Sequence, residues 1–179
     1  MSNKIPRYYI ILIFTMICSF DTYSQQLEWA SGLRIGEPGG FMIRKYIQGT
    51  PNLIEINFGA YGGLWGTNRN YKSGVYKNIG FSLNALYLWH HKTISNENIQ
   101  TYYGLGLQYN NRDLYDESNN NNRIKIQKSF GGVVIGGIEF FPKDAPNLSF
   151  FTEIGFYNEI SPKPFFIQPQ GGFGARVNF

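Results

Sequence analysis

The stretch YYGLGLQY at residues 102–109 alternates, from Tyr103 onward, large aromatic or aliphatic side chains with small or polar ones. Aromatic or aliphatic residues occupy every second position from Tyr103 to Tyr109, and between them lie Gly104, Gly106 and Gln108. Successive side chains of a β-strand point to opposite faces of the sheet. The stretch therefore predicts a strand with one apolar face and one face of small or polar groups.

Seven further segments show the same alternation, some less cleanly, and turn-rich stretches separate them. They are residues 27–35, 39–48, 53–62, 80–89, 126–141, 150–156 and 172–179. The alternate positions of a strand form two sets, which we call its two parities. The register of 39–48 stays open, because Lys45 falls on the same parity as the apolar residues Phe41 and Ile43. Residues 126–141 are apolar on both parities over GGVVIGGI. The count is eight strands, which is an even number.

This pattern fits either a soluble β-sandwich or a transmembrane barrel, and three features favour the barrel. The polar parity is rich in glycine, which suits a crowded lumen. The strands approach the roughly 9–11 residues that cross a bilayer at a tilt. Aromatic residues gather near strand ends, as in interfacial girdles. These aromatic residues are Trp29, Tyr46, Tyr61, Tyr87, Trp89, Tyr103, Tyr109, Tyr157 and Phe179. We therefore predict an all-β fold, an eight-stranded antiparallel up-and-down transmembrane β-barrel.

Composition excludes several other classes. The 179 residues are 42% hydrophobic, 17% aromatic and only 16% charged. Such a chain is not typical of a disordered protein, a coiled coil or a soluble helical domain. The formal net charge of +4 comes from scattered lysines and arginines rather than a basic run. Mild basicity of this kind fits contact with lipid head groups, and we expect no nucleic-acid partner.

The N-terminus has the pattern of a cleaved export signal over residues 1–24. Lys4 and Arg7 precede an apolar run at 8–20, and Thr22 and Ser24 occupy the small-residue positions of a cleavage site. The predicted domains are thus a signal peptide, 1–24, and a barrel, 25–179, with an uncleaved anchor as the alternative. Cleavage would leave a net charge of +3, since two basic residues and one acidic residue depart.

Cys18 is the single cysteine, and it lies inside the predicted signal. A lipid-modified cysteine follows small residues, whereas Met16 and Ile17 precede Cys18. We therefore do not expect a lipoprotein. The mature chain would contain no cysteine for redox chemistry or metal binding.

The connections between strands predict the orientation of the barrel. Those after the second, fourth and sixth strands are short, at residues 49–52, 90–98 and 142–147. Those on the other side are longer, at 63–78, 110–125 and 158–168, apart from a tight turn near 37–40. Bacterial barrels have short periplasmic turns and longer outer loops. We therefore expect both ends of the barrel chain to lie in the periplasm.

Several segments, taken in order, resemble those of a known group of proteins. They are GLRIGEPGGFMIRKYI (32–47), NLIEINFG (52–59), YYGLGLQY (102–109), GGIEFFPKDAPNLSFFTEIGFY (136–157) and GGFGARVNF (171–179). Together they resemble small eight-stranded outer-membrane β-barrels of the Bacteroidetes type. The resemblance implies location in the bacterial outer membrane. It also implies a C-terminal signal for the barrel-assembly machinery, at Phe173, Val177 and Phe179. It implies no activity.

Five charged residues fall on the inward parity of the predicted barrel. They are Arg34, Glu55, Glu139, Glu153 and Arg176. The interior of an eight-stranded barrel is just wide enough for side chains, so charges there must be paired. We predict a lumen plug of arginine–carboxylate pairs, with Arg176 meeting Glu153 across one seam. The alternatives are a proton or ion path and acid–base catalysis.

The two histidines, His90 and His91, are adjacent at a strand end. Neighbouring strand residues point to opposite faces, so the pair is not expected to bind one metal ion. Ser95 and Glu97 nearby make a Ser–His–acid hydrolase formally possible. We predict no catalytic residues, no metal and no cofactor.

The sequence thus predicts a non-enzymatic outer-membrane barrel with a membrane-structural or loop-mediated binding role. The candidate binding loop is residues 63–75, with Trp65, Asn68, Arg69 and Tyr71 as contact residues. Outer-membrane lipid and the assembly machinery are the expected partners, and an external partner is left unspecified. The alternative is a narrow pore for small solutes, and the third option is a lipid-modifying enzyme.

Overall fold

The computed structural model describes residues 28–62, 70–71, 74–76, 78–92, 98–116 and 124–179. The predicted signal peptide, 1–24, lies outside this part of the chain. The described residues form ten β-strands: β1 (Trp29–Glu37), β2 (Gly39–Tyr46), β3 (Asn52–Tyr61), β4 (Asn70–Tyr71), β5 (Gly74–Tyr76), β6 (Gly80–Lys92), β7 (Ile99–Asp116), β8 (Ile124–Phe140), β9 (Leu148–Ser161) and β10 (Phe166–Asn178). Within these ranges there is no helix that is long and apolar enough to cross a membrane.

Eight of the strands close into a barrel. Each of β1, β2, β3, β6, β7, β8, β9 and β10 pairs antiparallel with its neighbours. The first and last strands close the ring, with Gly32 opposite Arg176 and Leu33 opposite Ala175. The short strands β4 and β5 form a hairpin that pairs with the end of β7. The predicted eight-stranded up-and-down barrel is confirmed.

The apolar parity of each strand faces outward. Ile154, Leu33 and Phe173 are 74%, 66% and 57% exposed, although they are large and apolar. The alternate residues of the same strands, such as Glu153 and Arg34, are buried inside. A closed barrel with this exterior has no unpaired edge around its wall, and lipid rather than water suits its surface.

The open register of 39–48 is settled by the pairing of β2. Phe41, Ile43 and Lys45 share the outward face, and Met42 and Arg44 point into the lumen. The Lys45 ammonium lies 5.1 Å from the ring centroid of Trp29, so its charge is placed over an aromatic face. A lysine on the apolar parity is therefore an outward residue and not a sign of a different register.

The two ends of the barrel differ. The terminal end holds Trp29, Phe179 and the connections at 47–51 and 141–147. The loop end holds Pro38, Gly62 and the connection at 162–165. At the terminal end, Trp89 packs 4.9 Å from Tyr87 and 5.4 Å from Tyr103, measured between ring centroids. This outward aromatic group is what an interfacial girdle requires.

The predicted connections at 110–125 and 158–168 are too long. Strands β7 and β8 pair as far as Tyr115 opposite Ile124, and β9 and β10 continue to Ser161 and Phe166. The added segments contain polar runs, NNRD at 110–113 and NE at 158–159, and polar strands resemble loops in sequence. They are strands because their inward polar groups bind one another, as where Asn110 donates to Ser129 Oγ at 3.4 Å.

Three tyrosines assigned to the girdle point into the lumen instead. Tyr61 and Tyr157 are 2% and 0% exposed, and Tyr46 lies on the same inward parity. Each hydroxyl donates a hydrogen bond there. The acceptors are Asn178 Oδ1 for Tyr46, Gln168 Oε1 for Tyr61 and Ser129 Oγ for Tyr157. A position near a strand end does not distinguish a girdle residue from a lumen residue, whereas the parity does.

Candidate functional site in the barrel lumen

Six charged residues from six strands meet inside the barrel, and we name them the arginine–glutamate cluster. They are Arg34 (β1), Arg44 (β2), Glu55 (β3), Glu139 (β8), Glu153 (β9) and Arg176 (β10). Each is between 0% and 6% exposed. The structure thus brings the five charged residues predicted for the lumen together and adds Arg44.

Arg44 links two carboxylates. It is the direct register partner of Glu55, and its Nε donates to Glu55 Oε2. Its Nη1 donates to Glu139 Oε2 at 2.7 Å. Sequence reasoning missed Arg44 because the register of its strand was open. The signal that identifies it is its position on the parity opposite Lys45.

Arg176 lies between all three glutamates. Its Nη1 is 3.2 Å from Glu139 Oε1, and its Nη2 is 3.5 Å from Glu55 Oε2 and 3.9 Å from Glu153 Oε2. The predicted contact with Glu153 is therefore the longest of the three. The guanidinium carbon of Arg176 also lies 3.4 Å from the ring centroid of Phe151, so the positive charge is in contact with an aromatic face.

Glu153 takes its close partners from two other strands. Arg34 Nε lies 2.6 Å from Oε1, and the Tyr102 hydroxyl donates to Oε2 at 2.7 Å. Arg34 also donates to the carbonyl of Pro38 at the tight turn. Tyr102 crosses over Gly137, where a Cβ would lie 2.5 Å from the tyrosine Cζ. The missing side chain at Gly137 is what lets the ring reach Glu153.

The cluster contains three cations and three anions, so its formal charge is zero. Neutral side chains also donate hydrogen bonds to the carboxylates. Ser149 Oγ donates to Glu139 at 2.5 Å, and Asn57 Nδ2 donates to Glu55 at 2.9 Å. Burial of ions is tolerated only when charge and hydrogen bonding are both satisfied. This arrangement meets both conditions for the three carboxylates, which suits a structural plug.

An apolar cluster fills the lumen beside the charges. Its members are Leu53, Leu86, Leu88, Tyr102, Val133 and Ile135, with Tyr46 packed against them. Leu86 and Leu88 come from β6 and Tyr102 from β7, the two barrel strands that contribute no charge to the cluster. Side chains from all eight barrel strands therefore fill this section.

The two histidines point to opposite faces. His90 is buried and stacks on Tyr102 with ring centroids 4.9 Å apart, and the exposed His91 stacks on Tyr103 at 5.3 Å. In the described ranges, no three His, Cys, Asp or Glu residues are grouped so as to hold a metal ion. Ser95 and Glu97 lie outside the described residues.

The remaining candidate residues are those of the predicted binding loop and of the predicted assembly signal. Trp65, Asn68 and Arg69 lie outside the described residues, and Tyr71 belongs to β4, where its backbone pairs with Gly74. The proposed assembly residues belong to β10 and its end, and all point outward. Phe173, Val177 and Phe179 are 57%, 41% and 45% exposed.

No protein-family profile and no curated protein matches the sequence. The solved structures that resemble the fold include two small bacterial barrels. The N-terminal β-barrel domain of Pseudomonas aeruginosa OprF has a TM-score of 0.63 at 13% identity, covering 86% of this chain and 98% of that one. Neisserial surface protein A has a TM-score of 0.53 at 15% identity, covering 84% and 94%. With its apolar exterior, the chain has the fold of these eight-stranded outer-membrane β-barrels.

Proposed function

We propose that this protein is a non-enzymatic barrel with a closed lumen, which serves the membrane as a structural element and binds external partners through its loops. The observation that carries the proposal is the filled section of the lumen, where the arginine–glutamate cluster and the apolar cluster lie side by side. A solute passing through would have to separate buried ion pairs, and this is costly in a low-dielectric interior.

The state of the carboxylates supports a structural role over catalysis. A carboxyl group that acts as a general acid or base must be able to reach the substrate. Glu55, Glu139 and Glu153 each contact at least one arginine and at least one neutral donor. All three carboxylates are buried and held by these neighbouring side chains, which favours a plug.

The loop end is the proposed binding surface. Strands β7 and β8 extend well beyond the pairing of β9 at Phe130, and the β4–β5 hairpin lies against that extension. We propose that residues 63–75, with Trp65, Asn68, Arg69 and Tyr71, contact the external partner. We place the terminal end in the periplasm, because the connections there are short.

The C-terminal strand supports a proposed role in assembly. Phe173, Val177 and Phe179 form an outward row on the strand that closes against β1. We propose that the barrel-assembly machinery recognises this row of side chains. We also propose that residues 1–24 direct export and that the protein belongs with the Bacteroidetes-type barrels it resembles. Phe179→Ala should slow assembly into vesicles that contain the purified machinery. Phe165→Ala, at an exposed position of the loop end, is the matched control, and equal slowing of both variants would contradict the signal.

Planar-bilayer recording tests the closed lumen. The wild-type barrel, recovered from the outer-membrane fraction and shown to be folded by its heat-dependent gel mobility, should give no discrete conductance steps. Arg34→Ala and Arg176→Ala should lose the mobility shift at lower temperature, because they break the cluster. Discrete wild-type steps whose size changes in these variants, with the folded mobility retained, would favour a narrow pore instead.

A further inference from the structure

The apolar outer wall of the barrel is recessed at one level. Ile154 on β9 is paired with Gly136 on β8 and with Gly171 on β10, and Gly171 is in turn paired with Glu37 on β1. The two glycines add no side chain to the outer surface. Glu37 adds little, because it is only 1% exposed and accepts a hydrogen bond from the Gly62 amide. Ile154 therefore projects from the wall, 74% exposed, between positions without an outward side chain.

A groove of about 510 Å³ lies in this recess, between β9, β10 and β1. The outward side chains around it include those of Ile35, Thr152, Ile154, Phe156 and Phe173, and Gly171 lies between them. Ile35, Phe156 and Phe173 are 59%, 59% and 57% exposed. The groove is thus an apolar depression on the outer side of the wall.

The groove has the size and shape for a lipid tail. An apolar cavity of about 150 Å³ holds benzene, so 510 Å³ gives room for a chain of about a dozen carbon atoms. Such a chain would contact Ile154 and Phe156 on one side and Ile35 on the other. Because dispersion attraction adds up over contacts, an acyl chain is held more strongly in the groove than on the flat wall around it.

A positive charge lies at the end of the same two strands. Lys163 and Phe165 belong to the turn between β9 and β10 and are both exposed, Phe165 by 86%. Gly171 lies five residues beyond Phe166, the first residue of β10. This separation is about 17 Å along the strand, comparable to half of the roughly 30 Å hydrocarbon core of a bilayer. A lipid whose chain reaches the groove would have its head group level with the turn.

We propose that the groove and Lys163 form a binding site for a phosphate-bearing lipid of the leaflet at the loop end. One acyl chain occupies the groove, and the lipid phosphate contacts the Lys163 ammonium. The groove is continuous with the apolar wall, so hydrocarbon suits it, and the charge of Lys163 complements the phosphate. The inference rests on the proposed membrane function, because the barrel must be embedded as far as the β9–β10 turn.

Native mass spectrometry of the barrel, released from vesicles of dipalmitoyl phosphatidylglycerol, tests the groove. The wild-type barrel should retain one lipid molecule. Thr152→Phe, which adds a ring inside the groove, should lose most of the retained lipid. Ala85→Phe is the matched control, because Ala85 is an exposed outward residue of β6 on the far side of the barrel. Equal retention in the two variants would overturn binding in the groove.

A second variant covers the case in which Thr152→Phe does not fold, as judged by heat-dependent gel mobility. Ile154→Ala removes one side of the groove and should lower the retention of phosphatidylglycerol. Ile56→Ala, at an outward position of β3 that is 43% exposed, is its control. Unchanged retention in the folded Ile154→Ala barrel would overturn the site.

Lys163→Gln tests the contact with the phosphate. It should lower the retention of phosphatidylglycerol about two- to fivefold, the usual scale of an exposed charge contact. Retention of dipalmitoylglycerol, which has the same chains and no phosphate, should not change. Equal retention of the two lipids by the wild-type barrel would overturn the role of Lys163.

Flotation with the vesicles separates this inference from the proposed membrane function. A barrel that floats with the vesicles but retains no lipid would overturn the lipid site alone. A folded barrel that does not float would contradict the membrane function as well. A dimer peak without retained lipid, abolished by Thr152→Phe, would assign the groove to a second copy of the chain and overturn the lipid site.

Discussion

The Tyr102 hydroxyl donates a 2.7 Å hydrogen bond to Glu153 Oε2, from β7 to β9 across the intervening strand β8. Tyr102 is at the same time a member of the apolar cluster. One side chain therefore joins the two halves of the filled section. Because Glu153 also binds Arg34, loss of this contact affects an ion pair as well as a hydrogen bond.

Tyr102→Phe should lower the free energy of unfolding by about 1–3 kcal/mol, since it removes a donor from a buried carboxylate. Urea titration of the barrel in phospholipid vesicles, followed by tryptophan fluorescence, measures the change. Tyr103→Phe is the neighbouring control on the outward face, where Tyr103 is 54% exposed, and a change within about 0.5 kcal/mol is expected. Equal effects would contradict the role of the Tyr102 hydroxyl.

Gly137→Ala should destabilise the barrel, because the new methyl group would displace the Tyr102 ring. At Gly136, a Cβ would meet nothing closer than the Tyr102 carbonyl oxygen at 3.8 Å. Gly136→Ala should therefore be close to neutral. The temperature at which the compact gel band disappears compares the two variants. A larger loss in Gly136→Ala would show that Tyr102 does not need the space at Gly137.

Arg44→Met should cost about 3–5 kcal/mol, the usual effect of leaving buried carboxylates without their cation. Vesicle unfolding measures this loss, and Lys45→Met on the outward face is the control. The double variant Arg44→Met/Glu55→Gln should lose less than the sum of the two single variants, because it removes one charge of each sign. Strict additivity would mean that Arg44 and Glu55 do not interact.

Trp29 and Trp89 should be quenched more strongly by bromine near the lipid head group than by bromine deep in the acyl chain. Both residues lie at the terminal end, and the aromatic group around Trp89 is typical of an interface. Single-tryptophan variants in vesicles of each brominated lipid make the measurement. Stronger deep quenching of both residues would place the bilayer differently along the barrel.

Most of the correct sequence predictions came from the alternation of apolar and polar residues along the strands. It identified the two faces of the wall and five of the six cluster residues, four of which lie on strands with clear parity and the fifth, Glu139, at the end of the less regular strand β8. It missed Arg44 because the neighbouring Lys45 on the apolar parity left the register open. Contacts between distant strands, such as that of Arg44 with Glu139, depend on barrel closure, which no local pattern contains. Polar extensions such as the end of β9 were predicted as loops because their hydrogen-bond partners come from other strands.

The seam between β1 and β10 separates the cluster into two oppositely charged sets. Arg34, Arg44 and Glu55 belong to the N-terminal three strands and carry a formal charge of +1. Glu139, Glu153 and Arg176 belong to the C-terminal three and carry −1. The halves neutralise each other only once the ring is complete. Until β1 pairs with β10, each half of the cluster would hold one uncompensated charge, and closure of the ring supplies the opposite charge to both halves.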